Sequence, residues 1–175
     1  LFAQNKTITL EDIWKNYTLT PRGVPGFNTT PNGDFYTVVS SEGIVKHKFV
    51  NSEKVAVILT NNDLKNTNPA LTIKDIDDYS FNQAEDKLLI ATQLENIYRR
   101  STKGFYYIVD LKNKTIFSLS DTNKGKQSFP TFSPDGNKIA FVRNNNLYLV
   151  DLNTKTEIAI TTDGLDRHII NGMAD

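Results

Sequence analysis

The sequence predicts an all-β fold built from repeated antiparallel units, and three observations carry that prediction. First, Thr131–Asp151 reads as strand, Asp135-Gly136 turn, strand, second turn, strand. Second, the unit recurs upstream at a fixed period. Pro31, Gln83 and Pro134 occupy the same place in TTPNGDFYTVV, FNQAEDKLLIA and FSPDGNKIAFV, with offsets 83 − 31 = 52 and 134 − 83 = 51. Third, strands such as Ile139–Val142 are continuous apolar runs, as expected of sheets covered on both faces by neighbours. Repetition of such a unit is the signature of propeller blades. The expected architecture is therefore a partial β-propeller of about three antiparallel blades with a short N-terminal helix.

The elements follow in order. Leu1-Phe2-Ala3-Gln4 matches the tail of a secretory signal peptide, with Ala3 as the small residue before cleavage, and equally an ordinary polar terminus. Thr9 is a helix N-cap with Asp12 at the third helical position. Leu10, Ile13, Trp14 and Tyr17 then share one apolar face, which predicts a short helix packed on the propeller with Trp14 as its anchor. Residues 1–26 form this lead-in and 27–175 the propeller part, with blades at about 27–64, 79–122 and 123–175 and a linking segment at 65–78. Asn32-Gly33 and Asp135-Gly136 are good turn dipeptides because glycine accepts positive φ. The middle copy has Glu85-Asp86 there and no glycine. The third strands also match, Tyr107–Leu111 with Tyr148–Leu152. Three repeats do not close a ring of four to eight blades, so the chain reads as a fragment of a larger protein.

Composition narrows function mostly by exclusion. In 175 residues, 20 lysines and arginines balance 20 aspartates and glutamates, which gives no reason to propose nucleic acid as a partner. There is no cysteine for thiol chemistry. No Gly-x-Ser-x-Gly elbow, Ser-x-x-Lys pair, phosphate loop or dinucleotide fingerprint occurs. His47 and His168 lack metal-ligand spacing. Asp75, Asp77 and Asp78 faintly resemble a calcium loop, but Ser80 stands where glycine is needed and the closing Glu is missing. The sequence thus predicts no catalytic residue, no metal and no cofactor.

One departure from the repeat stands out. Gln83 to Tyr107 is 24 residues, whereas Pro134 to Tyr148 is 14. The extra ten carry Glu95-Asn96-Ile97-Tyr98-Arg99-Arg100-Ser101. An aromatic beside paired guanidinium forks suits an anionic or carbonyl group; the alternative is a solvated basic loop.

With this loop the chain resembles the dipeptidyl peptidase IV branch of the prolyl oligopeptidase family of serine peptidases, in the amino-terminal part of its propeller. The carriers are TLEDIW, IYRRS before YYIVDL, FPTFSPDGNKIAFVRNNNLYLVDL and ITTDGLDRHIINGMAD, in that order. The resemblance implies an eight-bladed propeller joined to a C-terminal α/β-hydrolase domain that supplies the Ser-Asp-His triad. It implies release of Xaa-Pro or Xaa-Ala dipeptides from free peptide amino termini, a secreted or periplasmic location, and a homodimeric parent. It also implies an arginine in the second blade's extended loop that hydrogen-bonds a substrate carbonyl. In the family pattern of aromatic, Arg, His, Ser, Tyr98 and Ser101 place that arginine at Arg99; Arg100 replaces the histidine and stays the alternative substrate-binding residue. A glutamate pair for the substrate ammonium follows the family's Asn-Gly-x-x-Asp motif, here Asn171–Asp175. The expected function is thus substrate recognition and gating for a serine dipeptidyl peptidase. Two readings compete with it: a non-catalytic TolB-like propeller mediating protein–protein interaction, and a relative with an inactive or differently specific hydrolase domain.

Overall fold

A computed structural model describes residues 7–21, 26–30, 33–66, 71, 73, 75–99 and 101–173. The signal-peptide reading at residues 1–4, Pro31, Asn32, Arg100 and the motif's last two residues lie outside the described residues.

Among the described residues, twelve strands form three four-stranded antiparallel sheets. The first holds β1 (Phe27–Thr29), β2 (Phe35–Ser40), β3 (Gly43–Lys48) and β4 (Lys54–Thr60). The second holds β5 (Asp78–Phe81), β6 (Lys87–Asn96), β7 (Thr102–Asp110) and β8 (Thr115–Ser118). The third holds β9 (Ser128–Phe132), β10 (Lys138–Arg143), β11 (Asn146–Asp151) and β12 (Thr156–Ala159). Each sheet is an unbroken meander in chain order, the connectivity of a propeller blade.

The middle blade shows why its strands read as apolar runs. Side chains alternate across a strand, and here both faces are buried. Leu88, Ile90, Tyr107 and Val109 enter one core with Ile44 and Leu59 of the first blade. Leu89, Ala91, Tyr106 and Ile108 enter a second core with Ile139, Phe141 and Val150 of the third. Each fully buried Leu or Ile contributes ~1.5–3 kcal/mol relative to exposure. Polar stitches reinforce the seam between the first two blades: the Tyr79 hydroxyl donates to Thr37 Oγ1 at 2.8 Å, and Asn28 Nδ2 donates to the Tyr79 carbonyl at 2.8 Å.

The hairpin turns explain the repeat register. Gly33 (φ 75°), Glu85 (φ 53°) and Gly136 (φ 67°) take the same left-handed position in successive blades. Glu85 holds it without glycine because Asn82 Oδ1 accepts the amides of Asp86 (3.1 Å) and Lys87 (2.9 Å). Gly136 suits its place on two counts: its φ is positive, and a Cβ there would sit 2.6 Å from Asn82 Nδ2 of the middle blade.

Two helices depart from expectation. The predicted N-terminal helix exists as α1 (Leu10–Trp14), with the Thr9–Asp12 capping box in place. It does not pack on the blades: Leu10 is 74% exposed and Trp14 72%. The helix therefore stands on its local cap, and Trp14 anchors nothing among the described residues. The second helix, α2 (Asn61–Asn66), follows directly from β4. The Thr60 amide donates to Asp63 Oδ2 at 2.9 Å and the Asp63 amide to Thr60 Oγ1 at 3.0 Å, a second capping box. Leu64 then reaches the core between the first two blades.

Candidate functional site

The ten extra residues of the middle blade become a taller hairpin. β6 and β7 are ten and nine residues long, against six each for β10 and β11. Pairing runs from Lys87↔Asp110 to Thr92↔Phe105, shifts, and resumes at Glu95↔Lys103 and Asn96↔Thr102. The shift is a bulge, with Gln93 at φ 52°. Gly104 faces it, and a Cβ there would lie 2.6 Å from Leu94 Cδ2 and 2.9 Å from the Thr92 carbonyl. The tip closes where the amides of Ile97 and Tyr98 donate to the Ser101 carbonyl, at 2.7 and 3.3 Å. Ser101 is buried, while Tyr98 and Arg99 project, Tyr98 with 69% of its surface exposed.

Charge around the tip is arranged to leave Arg99 open. Glu95, the nearest acid in the hairpin, is engaged by Lys126 Nζ at 2.7 Å and Lys103 Nζ at 3.4 Å. The Lys126 hydrogen bond, then that from Lys103, holds the Glu95 carboxyl below its ordinary pKa. Among the described residues Arg99 has no ion-pair partner. A guanidinium so presented offers a planar fork of donors to a carbonyl or carboxylate.

The C-terminal segment lies on the same face. In a four-stranded meander, the hairpin between strands two and three and the exit of strand four share one end of the blade. The tip residues 97–99 and 101, the β10–β11 turn and residues 160–173 therefore all sit at that end. The β10–β11 turn has two left-handed residues, Asn144 (φ 49°) and Asn145 (φ 60°), the pattern of a type I′ turn. The exit segment folds back on it. The Gly164 amide donates to Asn146 Oδ1 at 2.9 Å, and the Asn171 amide to the Asn145 carbonyl at 3.0 Å. Asn171 Nδ2 also donates to Asp163 at 3.0 Å.

The remaining polar residues singled out in the sequence have structural partners or stay apart. His47 stacks on Tyr36 with centroids 5.3 Å apart in the first blade, and His168 sits in the exit segment. Asp77 accepts the Leu94 amide at 2.9 Å and Asp78 the Tyr79 amide at 2.8 Å. Among the described residues no group of three or more His, Cys, Asp or Glu is placed to hold a metal.

Sequence reasoning missed two polar clusters. One is the Lys126–Glu95 contact. The other ties the β8–β9 connection to the third blade, where Arg143 Nη2 donates to Glu157 Oε1 at 2.6 Å and Nη1 to Ser120 Oγ at 2.6 Å. Ser120 Oγ in turn donates to Glu157, and the guanidinium lies 4.2 Å from the Tyr148 ring centroid. Burial pushes the Glu157 carboxyl up; the bonds from Arg143 and Ser120 and the Arg143 charge outweigh it and hold the pKa at about 2. The only advance signal was an arginine ending an apolar strand.

Comparison with known proteins bears on the family and the fold. A family described as dipeptidyl peptidase IV (DPP IV) N-terminal region matches residues 82–175. Dipeptidyl aminopeptidase A of Saccharomyces cerevisiae is 39% identical over 99 residues, covering 51% of this chain and 10% of that protein. Dipeptidyl peptidase 4 of Trichophyton rubrum is 27% identical over 178 residues, covering 98% of this chain and 21% of that protein. The crystal structure of Porphyromonas gingivalis dipeptidyl peptidase 4 superposes with a TM-score of 0.77 at 29% identity, covering 91% of this chain and 22% of that one. The chain thus spans between a tenth and about a fifth of the length of these relatives.

Proposed function

We propose that this chain, which belongs to the dipeptidyl peptidase IV N-terminal region family, is the substrate-recognition and gating part of a serine dipeptidyl peptidase. The parent would release Xaa-Pro or Xaa-Ala dipeptides from peptides with a free amino terminus. The observation that carries the reading is the heightened middle-blade hairpin, which lifts Arg99, without an acidic partner among the described residues, on the face shared with the exit segment. Arg99 would donate to a substrate carbonyl near the scissile bond and so fix its position relative to the nucleophile. Arg100 is the neighbouring candidate, and the register of the IYRRS motif favours Arg99. The triad would come from a C-terminal α/β-hydrolase domain. On the family pattern the parent is proposed to be homodimeric and to act in the periplasm or outside the cell.

The division of labour is testable. The purified 175-residue chain is expected not to hydrolyse a Gly-Pro chromogenic substrate, while the full-length protein does so and is stopped by a serine-directed inhibitor. Inhibitor-sensitive turnover by the isolated chain would show a nucleophile within it and overturn the assignment.

A further inference from the structure

We propose that Lys126, contributed by the third blade, is the positioning residue that sets the aim of Arg99. This rests on the recognition role given to Arg99 above. The hairpin carrying Arg99 belongs entirely to the middle blade, yet its bulge is fastened from outside β6 and β7. Lys126 Nζ donates to the Gln93 carbonyl at 2.6 Å and to Glu95 Oε1 at 2.7 Å. Those two acceptors bracket the register shift, on a residue in left-handed backbone and on the first rung above it. The next residue, Gln127, is itself buried and exchanges two backbone hydrogen bonds with Gly104, both 2.9 Å. From the middle blade's own lead-in, Asp77 takes the Leu94 amide at 2.9 Å.

The energetics favour a fixed geometry. The Lys126 side chain is only 15% exposed, and its ammonium lies 5.5 Å from the Phe105 ring centroid. A cation so enclosed is held by its acceptors, because releasing them would leave it poorly solvated. A left-handed Gln93 costs free energy and persists only where its surroundings over-determine it. Lys126 binds the carbonyl of that strained residue. Above the bulge only two rungs and the Ser101 contacts separate the brace from Arg99. A small rotation at the bulge therefore swings the guanidinium at the tip. Recognition in the middle blade depends on a side chain of the next blade, so loosening the seam between them would disengage Arg99.

The test uses the full-length peptidase and an Ala-Pro chromogenic substrate. Lys126→Met should lower kcat/KM by about tenfold through misplacement of a group it does not touch. In an Arg99→Ala background the same change should add nothing, since no aim is left to lose. Amide exchange at Ile97 and Tyr98 should quicken by about tenfold in Lys126→Met as the brace opens, and Lys126→Arg should restore both activity and protection. An equal loss of activity in the two backgrounds overturns the proposal, because the lysine then acts on stability at large. Unchanged exchange at the tip, with Arg99→Ala still damaging, overturns the brace and leaves the recognition reading intact. Full activity of Arg99→Ala overturns the recognition reading, and this proposal with it, whatever the exchange shows.

Discussion

Arg99→Ala in the full-length protein is expected to lower kcat/KM for Ala-Pro substrates by about 10- to 150-fold, the kinetic equivalent of losing one charge-assisted hydrogen bond of ~1.5–3 kcal/mol. The structure supplies the reason for so large an effect at an exposed residue. A surface arginine paired with a carboxylate contributes little, but here the adjacent acid, Glu95, is already bound by Lys126 and Lys103. The guanidinium is therefore open to a ligand. In the proposed role, substitution by alanine would leave the substrate carbonyl without its donor and let the reacting bond drift. Arg100→Ala is the control one residue away and should be milder. Were Arg100→Ala the more damaging, the recognition arginine would be Arg100; were neither to matter, the tip would be ordinary solvated surface.

Arg143→Met should destabilise the third blade by about 1.5–3 kcal/mol, because it takes the guanidinium from a largely buried Glu157 and leaves it with Ser120 Oγ and with Lys124 Nζ at 3.2 Å. Hydrogen exchange of the β10–β12 amides in the full-length protein reads this directly, with acceleration of roughly one to two orders of magnitude. The companion Glu157→Leu in the same chain should recover much of the loss, since an apolar pair of similar volume costs no desolvation. The pH dependence has a definite sign. Glu157 titrates at about 2 in the fold, below its ordinary value of 4.5. A carboxyl whose folded pKa is depressed contributes its stability above the unfolded value and loses it as pH falls through the folded one. The difference between wild type and Arg143→Met should therefore be full above pH 4.5 and shrink towards pH 2. A penalty that grew on acidification would contradict the assignment of the ion pair.

Much of this fold was legible in the sequence, for reasons that particular residues show. The 52- and 51-residue offsets locate turns, and turns are local chemistry: Gly33 and Gly136 satisfy positive φ by themselves. The apolar runs of β6 and β10 announced double burial without saying which residues faced which core. The ten-residue excess in the middle blade was countable, and it correctly marked Tyr98 and Arg99 as departing from the repeat. The bulge at Gln93 left no trace in composition, because its left-handed residue is held through its carbonyl by Lys126, 33 residues away, rather than by local preference. The Arg143–Glu157 pair was equally invisible: partners 14 residues apart on non-adjacent strands follow no periodicity. Thr60-Asn61-Asn62-Asp63 carried the same capping signature as Thr9–Asp12 and so was readable as the start of α2. The error at α1 ran the other way. An apolar face at Leu10, Ile13, Trp14 and Tyr17 predicts a partner, and the described blades provide none.

The central claim is that this chain serves an enzyme that reads a free amino terminus and removes two residues from it. The most direct measurement is mass spectrometry of the products formed by the full-length protein from a peptide beginning Ala-Pro, supplied with its amino terminus either free or acetylated. The account predicts the Ala-Pro dipeptide from the free peptide and no product from the acetylated one. Equal cleavage of both peptides, or cleavage of neither, would contradict it.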